Sequence, residues 1–175
     1  MKVCIGVISG EYIRAKTVNT LLDLERRYGY DWIIKQGCLV DRNREDVVLE
    51  ALKKDYTHLF FVDSDMCFDA RVLERLLERD KDIVGTIYRT RDLTGNTTLR
   101  LLPNTEIEKD LFKCHAVGTG CLLIKMDVFK QMDRPYFFIE NKGEDIYFCE
   151  KAQMNGYTIW CDPTVSIKHI GEYLF

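Results

Sequence analysis

Apolar residues alternate along this chain between two spacings. Residues 2–8, Lys-Val-Cys-Ile-Gly-Val-Ile, form a β-rich run closed by Ser9-Gly10, and over 12–27 the apolar positions Ile13, Val18, Leu21, Leu22 and Leu24 recur at helical intervals. The same alternation predicts a strand over 31–35, a helix over 43–54, a strand over 58–62, a helix over 69–79 and a strand over 83–88. Strands separated by helices of ten or more residues imply parallel pairing with right-handed crossovers, so the first half reads as a doubly wound, nucleotide-binding type of unit. Beyond Tyr88 the pattern shortens. Arg89–Asn96 reads as a polar loop, with brief strands near 99–102 and 111–117. Gly118-Thr119-Gly120 leads into a buried run, 121–124, followed by a short helix over 127–132. Gly143-Glu144-Asp145 opens a last helix that Asn155-Gly156 closes, and the chain runs on through 157–161, Pro163 and 166–171. With no internal repeat or linker, 1–175 reads as one domain.

Composition narrows the function classes. The 175 residues are 46% hydrophobic and 30% charged, ordinary values for a globular chain. With 25 basic and 28 acidic residues the formal net charge is −3, which provides no field for nucleic acid. The seven cysteines form no Cys-x-x-Cys pair and several sit inside apolar runs, as expected of reduced core thiols in a cytoplasm. Strand-like sequence begins by Val3, leaving no room for a leader, and no apolar run approaches the length of a membrane span. The first strand is followed by no glycine-rich dinucleotide fingerprint, and there is no Gly-Lys-Ser/Thr phosphate loop or Gly-x-Ser-x-Gly elbow. Cys114 and His115 are adjacent on a predicted strand and so point to opposite faces, a poor arrangement for joint chemistry.

The sharpest transition is Leu59-Phe60-Phe61-Val62 running into Asp63-Ser64-Asp65. Ligands collect where buried strands of α/β proteins end, and two carboxylates there suit a hard divalent cation that also takes phosphate oxygens. A metal-bound diphosphate is the substrate this pattern suggests. The alternative is that both aspartates only polarise a turn or cap the next helix. A second constellation, Gly143-Glu144-Asp145 with Phe148 and the late His169, carries the same ambiguity, because first-turn acids commonly just complement a helix dipole.

Taken together, Asp63-Ser64-Asp65, Gly118-Thr119-Gly120-Cys121-Leu122-Leu123-Ile124, Gly143-Glu144-Asp145 and His169, in this order over most of the chain, resemble the inverting glycosyltransferases of the A-type fold, in particular compact viral and bacterial members. The resemblance implies an α/β/α sandwich with a mixed, mostly parallel sheet, in which 1–88 is the nucleotide-binding half and 89–175 supplies the acceptor side and completes the metal site. It implies a hexosyltransferase using a UDP- or GDP-sugar, Mn²⁺ or Mg²⁺, and a hydroxyl acceptor on a glycan, lipid or protein, working in the cytoplasm, or the host cytoplasm for a virus. It also implies metal ligation by Asp63, Asp65 and His169, with Asp63 alternatively reaching the ribose. Donor contacts fall to Ser9, Gly10, Arg42, Asn43, Asp63, Ser64, Gly118, Thr119 and Gly120. The base is Asp145, held ionised by the helix dipole, with Glu144 holding the acceptor. A lid is expected over Arg89–Asn96. The chain departs from the family in its first strand end, Ile8-Ser9-Gly10-Glu11-Tyr12, and in Gln36–Asn43, where an aspartate-rich turn is usual, so the base of the nucleotide stays open. The family's appended acceptor elements are missing too, which leaves room for a partner or a homo-oligomer. A retaining transferase, a sugar-phosphate nucleotidyltransferase and a non-catalytic nucleotide-sugar binder remain the alternatives.

Overall fold

A computed structural model describes residues 1–90 and 96–171. Its strands are β1 (Val3–Ser9), β2 (Asp31–Gln36), β3 (His58–Asp63), β4 (Met66–Phe68), β5 (Ile83–Thr86), β6 (Phe112–Cys114), β7 (Cys121–Lys125), β8 (Ile159–Asp162) and β9 (Ile167–His169). The helices are α1 (Ala15–Tyr28), α2 (Val40–Ala51), α3 (Arg71–Glu78), α4 (Met126–Gln131) and α5 (Glu144–Met154). A seven-stranded sheet has the order β2-β1-β3-β7-β5-β8-β6, and β4 pairs with β9 in a separate ribbon. β1 is parallel to β2 and β3, and β5 to β8, whereas β7 runs antiparallel to both its neighbours and β6 antiparallel to β8.

The period-two alternation of each central strand divides the core into two layers. Leu59 and Phe61 of β3 face the side occupied by Val47 and Val48 of α2 and by Phe148 and Cys149 of α5. Phe60 and Val62 face Leu21 and Leu24 of α1 and Leu73 and Leu76 of α3. The result is a three-layer α/β/α sandwich whose sheet is covered on both faces, as the continuous apolar strands require. Gly6 lets α2 approach β1, since a Cβ there would lie 2.7 Å from Val47 Cγ1. No helix among the described residues is long and apolar enough to cross a membrane.

Several predicted boundaries move. Helix α2 begins at Val40, not Asn43, so Arg42 and Asn43 lie within its first turn. The strand predicted to reach Tyr88 ends at Thr86, and the one near 99–102 reduces to a bridge between Arg100 and Ala116. Parallel pairing across the first half stops at β3, because β7 inserts between β3 and β5. The three-residue strands β4 and β9 were not predicted, being too short for a period to register. Of the expected lid, Arg91–Gly95 lie outside the described residues; at their flanks Thr90 N–H donates to Asn96 O at 2.9 Å.

Candidate active site

The parallel strands β1 and β3 end side by side, and the chain leaving β3 is pinned there by backbone bonds. Asp63 N–H donates to Gly120 O (3.1 Å), Ser64 N–H to Ile8 O (2.9 Å) and Arg14 N–H to Ser64 O (2.8 Å). Beside this corner opens a cleft of about 360 Å³ lined by Ser9, Gly10, Tyr12, Cys38, Val40 and the Asp63-Ser64-Asp65 segment. Ser9 Oγ on its wall is buried and has no hydrogen-bond partner among the described residues. Polar groups sealed without a partner are uncommon, and among the described residues Thr17, Trp32, Arg44 and Thr86 each hold another such atom.

The β4–β9 ribbon brings the late histidine to the first motif. Met66 pairs with His169, Ile170 N–H donates to Asp65 O at 2.8 Å, and His169 Nε2 lies 3.3 Å from Asp65 Oδ1. Both side chains are largely buried, at 13% and 9% exposure. His169 Nδ1 is 3.0 Å from Arg89 O, a carbonyl that can only accept, so Nδ1 carries a proton and Nε2 is the nitrogen turned to Asp65. A carboxylate oxygen and an imidazole nitrogen held this way fit a divalent cation of the Mn²⁺ type. No group of three or more His, Cys, Asp or Glu placed for a metal exists among the described residues, so two protein donors would leave the remaining positions to phosphate and water.

Asp63 has a different partner. Arg44 of α2, 2% exposed, donates from Nη2 to both Asp63 oxygens (2.9 and 3.2 Å) and from Nε to Glu144 Oε1 (3.1 Å). Its guanidinium carbon lies 5.4 Å from the Phe61 ring centre. Burial alone would pull the guanidinium pKa down, but Asp63 and Glu144 outweigh it and keep the group cationic. Glu144 therefore faces Arg44, with Asp145 next to it in the first turn of α5. The helix dipole is opposed at Asp145: burial, then the charge of Glu144, push its carboxyl above the ordinary value, although Ile146 N–H donates to Oδ1 at 2.7 Å. Gly143 makes room for that carboxylate, since a Cβ there would lie 2.6 Å from Asp145 Oδ1.

The other predicted donor contacts separate. Ser9, Gly10 and Ser64 line the cleft. Arg42 is exposed and borders a second cleft of about 310 Å³, with Glu45, Arg134 and Phe138, on the other side of the first turn of α2. Asn43 is buried and its Nδ2 donates to Gly37 O at 3.1 Å, closing the β2–α2 loop. Gly118, Thr119 and Gly120 are buried beneath Asp63. There Gly120 N–H donates to Tyr88 Oη (2.9 Å), and a Cβ on Gly120 would lie 2.7 Å from that oxygen and 2.9 Å from Asp63 Oδ2. Arg44 and Tyr88 were not anticipated. One arginine inside a helical pattern and one tyrosine at a strand end carry no spacing signal.

No protein-family model and no curated protein matches the chain. Solved structures do. A197 from STIV superposes with a TM-score of 0.75 at 22% identity, covering 97% of this chain and 86% of that one. GalNAc-T7, crystallised with UDP, GalNAc and Mn²⁺, gives 0.59 at 10% identity over 99% of this chain and 44% of its own. S. aureus TarS 1–349 in complex with UDP-GlcNAc gives 0.57 at 16% over 100% and 60%. The chain thus spans roughly half the length of those two proteins, and what it shares with them is the fold of nucleotide-sugar glycosyltransferases.

Proposed function

We propose that this chain is a cation-dependent glycosyltransferase that moves a sugar from a nucleoside-diphosphate donor to a hydroxyl acceptor with inversion. The observation that carries the reading is the approach of Asp65, which lines the cleft at the end of β3, to His169 Nε2, with the neighbouring Asp63 joined through Arg44 to the acidic turn of α5. UDP is the favoured nucleotide, because GalNAc-T7 and TarS were both crystallised with UDP or a UDP-sugar on this fold. Ser9, Gly10 and Ser64 would cradle the donor. Asp65 and His169 would hold the cation, which when bound offsets the negative charge that builds on the departing diphosphate.

Asp145 then acts as the base. The acceptor oxygen bonds to the anomeric carbon on the face opposite the diphosphate as the carbon–oxygen bond to the phosphate breaks, and the hydroxyl proton passes to Asp145. A pKa raised by burial and by Glu144 suits this task, since a base works best when its pKa lies nearer the working pH. The test is turnover of UDP-sugars, scored as transfer or as donor hydrolysis, in the parent and in Asp145→Asn. Asparagine keeps the size and the bond from Ile146 but takes no proton. A fall in kcat of ~10²–10⁴ with UDP affinity within about threefold is expected. Parental turnover in the variant would remove Asp145 from the chemistry.

A further inference from the structure

Of the two aspartates that close β3, only Asp65 is oriented toward a metal-binding partner. Both Asp63 oxygens lie on Arg44 Nη2, whereas the Asp65 carboxylate faces His169 Nε2. We propose that Asp63 is withheld from the cation: it is one end of a clamp, Asp63–Arg44–Glu144, in which Arg44 is a positioning residue that fixes the first turn of α5 and therefore the place of Asp145.

The energetics favour this division. A guanidinium that is 2% exposed is tolerated only with carboxylate partners, and Arg44 has two, one from β3 and one from α5. Its Nη1 is buried without a partner among the described residues, so no alternative set of bonds stands ready if Asp63 turns away. A cation ligated by Asp63 would compete with Arg44 for the same two oxygens and leave two positive charges facing each other in a poorly solvated corner. Gly120 leaves the room this placement needs, since a Cβ there would lie 2.9 Å from Oδ2. The clamp joins residues 19 and 100 positions from Arg44, tying the end of β3 to the start of α5 through one side chain of α2. Phe137, stacked on Phe148 of α5 at 4.9 Å between ring centres, packs the next turn of that helix against Phe61. The first turn, by contrast, has Arg44 as its polar anchor.

That Asp145 is the base rests on the reading above; the clamp does not. Two readouts keep them apart. The first is hydrogen exchange at the Tyr147 amide, which bonds Gly143 O in the first turn of α5, measured on the protein without ligands. Exchange should rise about tenfold or more in Arg44→Lys, Asp63→Ala and Glu144→Ala, and stay near parental in Glu144→Gln and Asp63→Asn, each of which keeps an oxygen for Arg44, and in Asp65→Asn. The second is calorimetric titration with UDP in Mn²⁺ and then in EDTA. Asp63→Asn should still bind about tenfold or more tightly in Mn²⁺ than in EDTA, whereas Asp65→Asn should lose that difference. Circular dichroism identifies any variant that fails to fold, and Asp63→Ala carries the exchange test if Arg44→Lys does. Equal loss of Mn²⁺ dependence in Asp63→Asn and Asp65→Asn would overturn the proposal, as would unchanged exchange in Arg44→Lys and Glu144→Ala. A parent that binds UDP equally with and without Mn²⁺ would instead count against the glycosyltransferase reading, and exchange would then decide the clamp.

Discussion

In the proposed mechanism Asp145 sets stability against chemistry. Its carboxyl is raised above the ordinary value by burial and by Glu144, so in the folded protein the ionised form is disfavoured. Between the unfolded and the folded value the native state binds more protons, and stability falls as pH rises through that window. Asp145→Asn should therefore melt above the parent at neutral pH, with the gap closing in acid below the unfolded carboxylate value; a differential scanning series across pH reads both. In the same protein, turnover should decline as pH drops through the raised Asp145 value. A variant that is less stable than the parent at pH 7 would show that Asp145 is held by favourable contacts instead. The acids themselves were legible in the sequence, because Asp63-Ser64-Asp65 interrupts an apolar strand abruptly and Glu144-Asp145 follows a glycine at a helix start. Their partners were not. Arg44 is two positions from Arg42 and indistinguishable from it in a helical pattern, yet one is sealed against Phe61 and the other is in solvent.

The elements that deliver His169 are among the shortest in the described residues. β9 is three residues long and pairs only with β4, itself three residues. The chain reaches β9 through a turn after β8, and that turn is fastened to the end of α3. Arg79 Nε donates to Asp162 Oδ2 at 2.6 Å, and Thr164 N–H to Asp162 Oδ1 at 2.8 Å, with Asp162 fully buried. Burial would raise the Asp162 carboxyl, but the bonds from Arg79 and Thr164 outweigh it and hold it below the ordinary value. A lowered native pKa gives stability that is complete above the unfolded value and lost as pH falls through the native one. Arg79→Met removes the nearer of the two cations on buried Asp162, leaving Arg75 Nε at 3.8 Å, and should cost about 1.5–3 kcal/mol in urea unfolding at pH 7, a difference that shrinks in strong acid. A loss under about 1 kcal/mol would mean that the turn is held by other contacts. Long elements such as α1, β1 and β3 were readable because each spans enough residues to show its period. The insertion of β7 between β3 and β5 was not, since strand order is set by pairing between distant segments and leaves no mark in local spacing.

The whole molecule opens its candidate cleft where open α/β sheets commonly bind ligands, at the ends of parallel strands where neighbouring connections diverge. A sheet buried on both faces supplies the rigidity, and the cleft, the β4–β9 ribbon and the start of α5 all border one corner of it. A formal charge of −3 fits a small anionic ligand only if local cations and a metal offset it, which makes metal dependence the feature most exposed to experiment. The decisive measurement is a thermal-shift panel of UDP, GDP, CDP and dTDP, each with Mn²⁺ and with EDTA, on the parent and on Asp65→Ala. A ligand at ~100 times its dissociation constant adds about 2.7 kcal/mol, roughly 5–10 °C for a chain of this size. One nucleotide, with UDP favoured, should produce that shift in Mn²⁺ and lose it in EDTA and in Asp65→Ala. No shift with any of the four, or an equal shift in EDTA, would contradict a cation-dependent nucleotide site at the end of β3.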